Sequence, residues 1–169
     1  MIRPILKFGE TPLHERATEV GELTGDIQKL IDDMIETMYA APGIGLAAPQ
    51  IGVSLRIFVI DLSVGRNADD LMVFVNPEFI ELEGMQLEEE GCLSVPGFTS
   101  TVARPKRVVV KGLNRHGEPH TLEGTGLMAR ALQHEVDHLN GCLFVDRLRG
   151  ISKDLIVRKI RKLAKAGKW

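Results

Sequence analysis

The stretch QHEVDHL, residues 133–139, holds two histidines four positions apart and a glutamate directly after the first. Residues i and i+4 of an α-helix lie on the same face, so His134 and His138 can bind one metal ion. Glu135 then lies beside them, within reach of a metal-bound water. Apolar residues at helical spacing surround the stretch and Gly141 follows it, which predicts a helix that ends just before this glycine.

A catalytic site of this kind needs a third protein ligand and one position open to water. No glutamate follows His138, and Phe144 occupies the place of the third histidine in the longer three-histidine pattern. The remaining candidates are Cys92, His14, His116, His120 and Cys142. Cys92 is favoured, because the glycine before it and the Pro-Gly pair after it suit a fixed loop that presents one side chain. Cys142 follows the expected helix end, so we expect its thiol to point away from the histidines.

The composition is that of an ordinary globular chain. Of its 169 residues, 44% are hydrophobic and 26% are charged, and the net charge of -2 gives no general attraction to nucleic acid or membranes. This length predicts one domain over residues 1–169. Two cysteines are too few for a disulfide framework. The chain lacks the apolar runs of a signal peptide or a membrane span, so we expect a cytoplasmic protein, and we expect it to be a monomer.

Hydrophobic periodicity predicts a helix and then a set of strands ahead of the histidine helix. Apolar side chains at helical spacing predict an amphipathic helix from Asp26 that ends before Pro42. Strands are predicted at 55–62, 72–75, 79–82, 85–87 and 107–113, with a hairpin turn at 114–117 and a return strand near residue 121. We expect His116 and His120, in or near this turn, to be solvated. The order of elements favours an α+β fold with mainly antiparallel sheets packed around the histidine helix.

Residues 151–169 form a basic amphipathic segment. The apolar stripe consists of Ile151, Leu155, Ile156, Ile160 and Leu163, and lysines and arginines surround it. The pattern predicts a C-terminal helix that docks by this stripe and leaves its basic face in solvent. An alternative use of the basic face is contact with a polyanion such as RNA.

Three separated motifs resemble those of bacterial peptide deformylases. They are GIGLAAPQ at 43–50, EGCLS at 90–94 and QHEVDH at 133–138, and their order, spacing and the chain length agree as well. The resemblance implies an α+β fold with the metal-binding helix set against β-sheets. It also implies a hydrolase that removes the formyl group from N-formylmethionyl peptides as they leave the ribosome, which makes these nascent peptides the expected partner.

The resemblance implies a role for each site residue. Cys92, His134 and His138 would bind one divalent metal, and Glu135 would act as general base and then as general acid. The Gln50 side chain and the Leu93 backbone N–H would stabilise the oxyanion together with the metal. Cys/His/His ligation favours zinc on general grounds. The resemblance instead implies Fe(II), with zinc, nickel or cobalt as substitutes.

Further residues are expected around the metal and in a pocket for the methionine side chain. Glu90 and Arg104 match an ion pair that holds the Cys92 loop, whereas Asp137 either orients a ligand histidine, caps a neighbouring loop or is solvated. The pocket is expected to involve Gly43, Ile44, Gly45, Leu127 and Ala131, beside His134. Arg130 departs from the apolar residue expected near this pocket, and we expect its guanidinium to reach water.

Two other functions account for fewer of these features. A metalloprotease would use the same glutamate and water, but the usual third ligands are missing. A ribosome- or RNA-binding protein would act through the basic tail and would hold its metal structurally, which requires a fourth protein ligand from Cys142 or another histidine. Ribosome contact through the tail is also compatible with a deformylase.

Overall fold

Seven strands and three α-helices build the protein, for which the computed structural model describes residues 1–169. The strands are β1 (Gly45–Ala47), β2 (Ile57–Ile60), β3 (Met72–Glu83), β4 (Gln86–Gly91), β5 (Thr99–Arg104), β6 (Arg107–Leu113) and β7 (Pro119–Thr125). The helices are α1 (Gly25–Ala40), α2 (Gly126–Leu139) and α3 (Ile151–Lys165). All strand pairings are antiparallel, in a five-stranded sheet of order β1-β2-β3-β6-β7 and a separate β4-β5 pair. The predicted α+β class with antiparallel sheets is confirmed.

Helix α1 covers one face of the five-stranded sheet. It begins after Thr24, whose side-chain oxygen accepts a hydrogen bond from the Ile27 N–H and so satisfies one free donor of the first turn. Its buried face, which includes Ile31, Met34 and Met38, packs against β1 and β2. The helix ends at Ala40, before Pro42, as the sequence indicates.

Helix α2 packs against the other face of the same sheet and is almost entirely buried. Its apolar side chains contact residues of β2, β3 and β6. This core consists of Phe58, Phe74, Val108 and Val110 on the sheet and of Ala129, Leu132, Val136 and Leu139 on the helix. An arginine from outside the helix binds its C-terminal end. The Arg56 guanidinium donates to the Leu139 carbonyl at 2.8 Å and to the Asn140 side chain at 3.0 Å, which satisfies a free carbonyl of the last turn.

The strand predictions differ from the structure at five places. Strand β1 was not predicted, and β4 extends to Gly91 where the sequence predicted a strand over 85–87. The strand predicted over 55–62 is confined to 57–60, and the separate strands predicted at 72–75 and 79–82 are one strand, β3. Between these two predicted strands, β3 shifts its register against β6 without ending. There Asn76 adopts a φ of 52°, and its side chain bonds both backbone groups of Val20 at 2.9 Å. Strand β5 was missed, because its sequence is largely polar and has no clear alternation of apolar residues.

Helix α3 docks by only part of its predicted stripe. Ile156 and Ile160 are buried in a third core with residues from the 144–147 turn and from β5, whereas Ile151 and Leu155 are 71% and 46% exposed. The helix therefore docks by a narrower face than the sequence predicted. None of the helices combines the length and the apolarity that a bilayer crossing requires.

Replacement of Ile160 by Ala is expected to lower the free energy of unfolding by about 2–4 kcal/mol, because it leaves a cavity where the side chain is 4% exposed. Leu155→Ala is the matched control on the same helix, and its effect is expected to stay within about 0.5 kcal/mol. Urea denaturation of both variants measures the difference. Equal effects would mean that α3 is not docked by the Ile156 and Ile160 face.

Candidate active site

Three potential metal ligands lie close together beside the C-terminal half of helix α2. The His138 Nε2 atom lies 3.2 Å from the His134 Nε2 atom and 3.3 Å from the Cys92 Sγ atom, and all three ligand atoms lie within 4.8 Å of one another. The histidines are one helical turn apart, and Cys92 lies in the turn directly after β4. Imidazole and thiolate donors grouped this closely form a Cys/His/His metal-binding site.

The other ligand candidates from the sequence lie elsewhere. Cys142 is not part of the ligand group, and its thiol donates to the Asn140 carbonyl at 4.0 Å. His14 accepts a hydrogen bond from the Gly9 N–H. His116 is exposed, as expected. The prediction that His120 is solvated is wrong, because the β7 backbone directs its ring inward to stack on Phe74 with 4.2 Å between ring centroids.

Glu90 orients the first histidine of the pair. Its Oε2 atom lies 2.8 Å from the His134 Nδ1 atom, and Arg104 binds both Glu90 oxygens at 2.6 and 2.7 Å. This is the ion pair expected between Glu90 and Arg104, and it is buried. A carboxylate that accepts from Nδ1 leaves Nε2 of the same ring as the metal-binding atom.

Asp137 extends this network away from the metal ligands. It is 5% exposed and binds Arg104 at 2.9 Å and Arg147 at 2.5 and 2.6 Å. Of the three roles considered for Asp137, solvation and direct orientation of a ligand histidine are wrong. Asp137 instead connects α2 to β5 through Arg104 and to the 144–147 turn through Arg147. The opposite charges of these side chains offset the free-energy cost of burying them.

Arg130 does not reach water, which corrects the expectation from the sequence. Its guanidinium is buried, donating to the Glu90 Oε1 atom at 2.8 Å and to the Val102 carbonyl at 2.8 Å. The reason is that Glu90, 40 positions earlier in the chain, provides a buried negative charge within reach of Arg130, which lies one helical turn before His134. A charged partner is what permits a buried arginine.

The protonation of these groups follows from their surroundings. Burial raises the pKa of Glu90, but hydrogen bonds from Arg104 and His134 outweigh it and hold the pKa well below its usual range. Burial and the nearby His134 hold the pKa of His138 well below its usual range, so this ring is neutral, the form that binds a metal. Burial lowers the pKa of His134, but Cys92 and Glu90 outweigh it and raise that pKa well above its usual value. A bound dication competes with this proton.

Glu135 lies beside the ligand group and is 2% exposed. Burial raises the pKa of its carboxyl to about 7, whereas the positive charge of His134 opposes this rise. Gly45 on β1 approaches it so closely that a Cβ atom there would lie 2.8 Å from the Glu135 Oε2 atom. The missing side chain of Gly45 therefore provides the space that the carboxylate occupies.

Replacement of Gly45 by Ala is expected to displace the Glu135 carboxylate, and a displacement near 1 Å of a group that takes part in a reaction can lower kcat by about 100-fold. Gly25→Ala is the control, because a Cβ atom at Gly25 meets no other atom within 4 Å. Steady-state assays and unfolding midpoints of both variants check the effect. A Gly45→Ala variant with wild-type kcat would show that the carboxylate tolerates the contact.

Gln50 and Leu93 present N–H donors next to Cys92. The Gln50 Oε1 atom accepts from the Ala47 N–H at 3.0 Å, which fixes the amide so that its Nε2 atom lies 3.7 Å from Cys92 Sγ and 3.1 Å from Ser94 Oγ. The Leu93 N–H donates to no other group of the protein. The N-terminal segment binds the backbone next to both donors. The Leu6 N–H donates to the Gln50 carbonyl, and the Phe8 N–H donates to the Ser94 carbonyl.

A cavity of about 530 Å³ adjoins the ligand group. Its lining includes every residue that the sequence assigned to a pocket, namely Gly43, Ile44, Gly45, Leu127, Ala131 and His134. The sequence did not single out Phe98 and Thr99, which form another part of the wall. Their position directly after the Cys92 loop was the available signal. The cavity joins an apolar wall to a carboxylate, two fixed N–H donors and the ligand group, an arrangement suited to hydrolysis of a bound amide.

Comparisons with known proteins agree with these features. The family model described as polypeptide deformylase matches residues 2–154. A peptide deformylase of Acidobacterium capsulatum is 49% identical over 169 residues, covering 100% of this chain and 99% of that protein. One from Thermodesulfovibrio yellowstonii is 50% identical over 160 residues, covering 95% of this chain and 97% of that protein.

Solved structures of the same kind superpose on the whole fold. A peptide deformylase from Legionella pneumophila has a TM-score of 0.92 and 46% identity, covering 99% of this chain and 98% of that one. A peptide deformylase from Synechococcus elongatus, solved in complex with actinonin, has a TM-score of 0.88 and 37% identity, covering 95% and 90%. The chain therefore belongs to the polypeptide deformylase family and is an enzyme of the hydrolase class.

Proposed function

We propose that this enzyme hydrolyses the formyl group of N-formylmethionyl peptides, releasing formate and a peptide with a free methionine amine. The observation that carries the proposal is the grouping of Cys92, His134 and His138 beside the buried Glu135 carboxylate and an apolar cavity. Cys92, His134 and His138 would hold a divalent metal, which would supply an acidic water and polarise the formyl oxygen. Family membership supports this reaction over cleavage of internal peptide bonds.

We assign the proton transfers to Glu135. With its pKa raised to about 7 by burial, the carboxyl can accept a proton from the attacking water and later donate it to the departing amine near neutral pH. Gly45 leaves room for this group without crowding it. A dication held by the three ligands would favour the carboxylate form of Glu135, the form that accepts a proton.

The Gln50 amide and the Leu93 N–H are proposed to bind the oxyanion that forms at the formyl carbon. Both are held in place before any substrate arrives, Gln50 by the Ala47 N–H and Ser94, and Leu93 by the turn that carries Cys92. Donors fixed in this way do not reorganise during the reaction, and loss of one typically costs about 10²–10³-fold in rate. Ile44, Leu127 and Ala131 are proposed to contact the methionine side chain, while the backbones of Gly43 and Gly45 lie along the peptide.

The test is formate release from a short formyl-Met peptide, measured anaerobically with and without a chelator. Chelator-sensitive release of formate is expected from the formylated peptide, and no free peptide amine is expected from its acetylated counterpart. Actinonin, the ligand of the Synechococcus elongatus relative, is expected to inhibit. No release from metal-loaded enzyme would reject the proposed reaction. Repeating the assay with Fe(II)-loaded, zinc-loaded, nickel-loaded and cobalt-loaded enzyme tests our proposal that Fe(II) is the physiological metal.

We further propose that residues 1–169 act as one catalytic domain in the cytoplasm, as a monomer, and that α3 contacts the ribosome through its basic face. Arg158 and Lys162 are exposed on this helix, and the family match ends at residue 154, near its start. The double variant R158E/K162E is expected to lose salt-sensitive sedimentation with ribosomes while keeping wild-type activity on a small peptide. Unchanged sedimentation would exclude this face as the contact.

A further inference from the structure

Two arginines, rather than one, hold Glu90 against the metal-ligating histidine. Arg104 donates to both carboxylate oxygens of Glu90, and Arg130 donates to the Oε1 atom at 2.8 Å. The Oε2 atom is the one that lies 2.8 Å from the His134 Nδ1 atom. Glu90 thus has one oxygen bonded to the histidine and the other bonded to Arg130, with Arg104 across both.

Arg104 alone cannot neutralise this site, because two buried carboxylates share it. Its Nη1 atom donates to Asp137 at 2.9 Å, while its other donors bind Glu90. Arg147 provides the second positive charge for Asp137, and Arg130 provides it for Glu90. In a buried network, one cation shared between two carboxylates does not neutralise the negative charge of both. The remaining charge favours movement or protonation of a carboxylate.

Arg130 is also fixed at its other end. It lies four residues before His134, so the two side chains share one face of α2 and reach the same carboxylate. Its Nη2 atom donates to the Val102 carbonyl on β5 at 2.8 Å, and the residue is 4% exposed. Arg130 therefore connects the helix that carries both histidines to the two-stranded sheet that leads to Cys92.

We propose that Arg130 is a positioning residue for the metal site: by fixing Glu90 it holds the His134 imidazole with Nδ1–H toward Glu90 and Nε2 toward the metal. This inference rests on the proposed metal-dependent reaction. Outer partners of metal-bound histidines typically change metal affinity or activity by about 10–100-fold when they are removed. The arginine also forms part of the cavity wall. A wall residue alone would alter substrate binding and leave the metal unaffected.

The test compares R130M, which keeps an unbranched apolar side chain without the guanidinium, with R130K, which keeps the charge but replaces the two donor nitrogens that bind Glu90 and Val102 by one. The first readout is the rate at which metal-loaded enzyme, without substrate, gives up its metal to a chelator. We expect R130M to release metal about 10–100-fold faster than the wild type, and R130K to be intermediate. The second readout is kcat and KM for a formyl-Met peptide, where kcat is expected to fall and KM to change less than kcat.

Arg107→Met is the matched control, because Arg107 pairs with glutamates on the exposed face of the sheet and touches no site residue. It is expected to release metal at the wild-type rate. Wild-type metal release from R130M would overturn the proposal, as would a rise in KM with unchanged kcat and metal release. If R130M does not fold, R130K decides, since wild-type metal release from R130K would also overturn it. Failure of the wild type to release formate would instead reject the proposed function, and metal release would still report on Arg130.

Discussion

Glu135→Gln is expected to lower kcat by about 10²–10⁴-fold while the enzyme keeps its metal. Glutamine has the same shape and fills the same space beside Gly45, but it cannot accept the proton of the attacking water. The carboxyl is 2% exposed, so bulk solvent cannot easily replace it as the base. Formate release measures the loss, and elemental analysis of the purified variant measures the metal content.

Glu123→Gln is the control for this prediction. Glu123 lies on the exposed face of β7, paired with Arg107, and the substitution makes the same chemical change far from the metal ligands. It is expected to keep wild-type kcat. If Glu135→Gln turned over substrate at the wild-type rate, Glu135 would have no part in proton transfer.

Cys92→Ser is expected to weaken metal retention by more than about 100-fold, since loss of a direct ligand exceeds the 10–100-fold cost of losing an outer partner. A serine hydroxyl stays protonated near neutral pH and is a poor ligand compared with a thiolate. Dialysis against a chelator followed by elemental analysis measures retention, and activity is expected to fall with the metal content.

Cys142→Ser provides a closely matched control, because the chain has only these two cysteines. Cys142 is partly buried, and its sulfur does not belong to the ligand group. This variant is expected to retain its metal. Full retention in Cys92→Ser, or loss in Cys142→Ser, would mean that the third ligand has been misassigned.

The two histidines of the ligand group could be predicted from the sequence because their spacing is local. His134 and His138 are one helical turn apart whatever the rest of the chain does, and the glycine and proline around Cys92 indicate a fixed loop. Gln50 and Leu93 are different, since only the resemblance of their motifs pointed to them. Leu93 adjoins Cys92 in the chain, whereas the position of Gln50 near Cys92 depends on the pairing of β1 with β2 and on contacts with the N-terminal segment.

Apart from the Glu90–Arg104 pair, which the resemblance implied, the charged network could not be predicted, because its partners are far apart in the chain. Arg130 looked like a residue that reaches water, and only the position of β4 reveals the carboxylate that keeps it buried. Asp137 likewise depends on Arg104 and Arg147, which arrive from two other elements. Ion pairs carry no sequence periodicity. A charged residue on a buried helix face indicates that a partner exists, without indicating which residue it is.

The apolar patterns predicted the presence of helices better than they predicted how much of each apolar face is buried. Helix α1 follows its 3.6-residue period closely, whereas the stripe on α3 included two residues that lie in solvent. The stripe shows which side of a helix can be buried, and the surface that it meets decides how much of that side is covered. Strand β5 pairs with β4 through its backbone, and Val102 is its only fully buried apolar residue. Its sequence therefore lacks the alternation of apolar residues that predicts a strand.

Hydrolysis of formyl-Met-Ala-Ser in ¹⁸O-labelled water tests the central claim most directly. The account predicts that mass spectrometry finds the label in formate and none in the peptide, which keeps all three residues and gains a free amine. This result requires water to attack the formyl carbon and the formyl C–N bond to break. Label in a new peptide carboxylate would show cleavage of an internal peptide bond and would contradict the deformylase assignment.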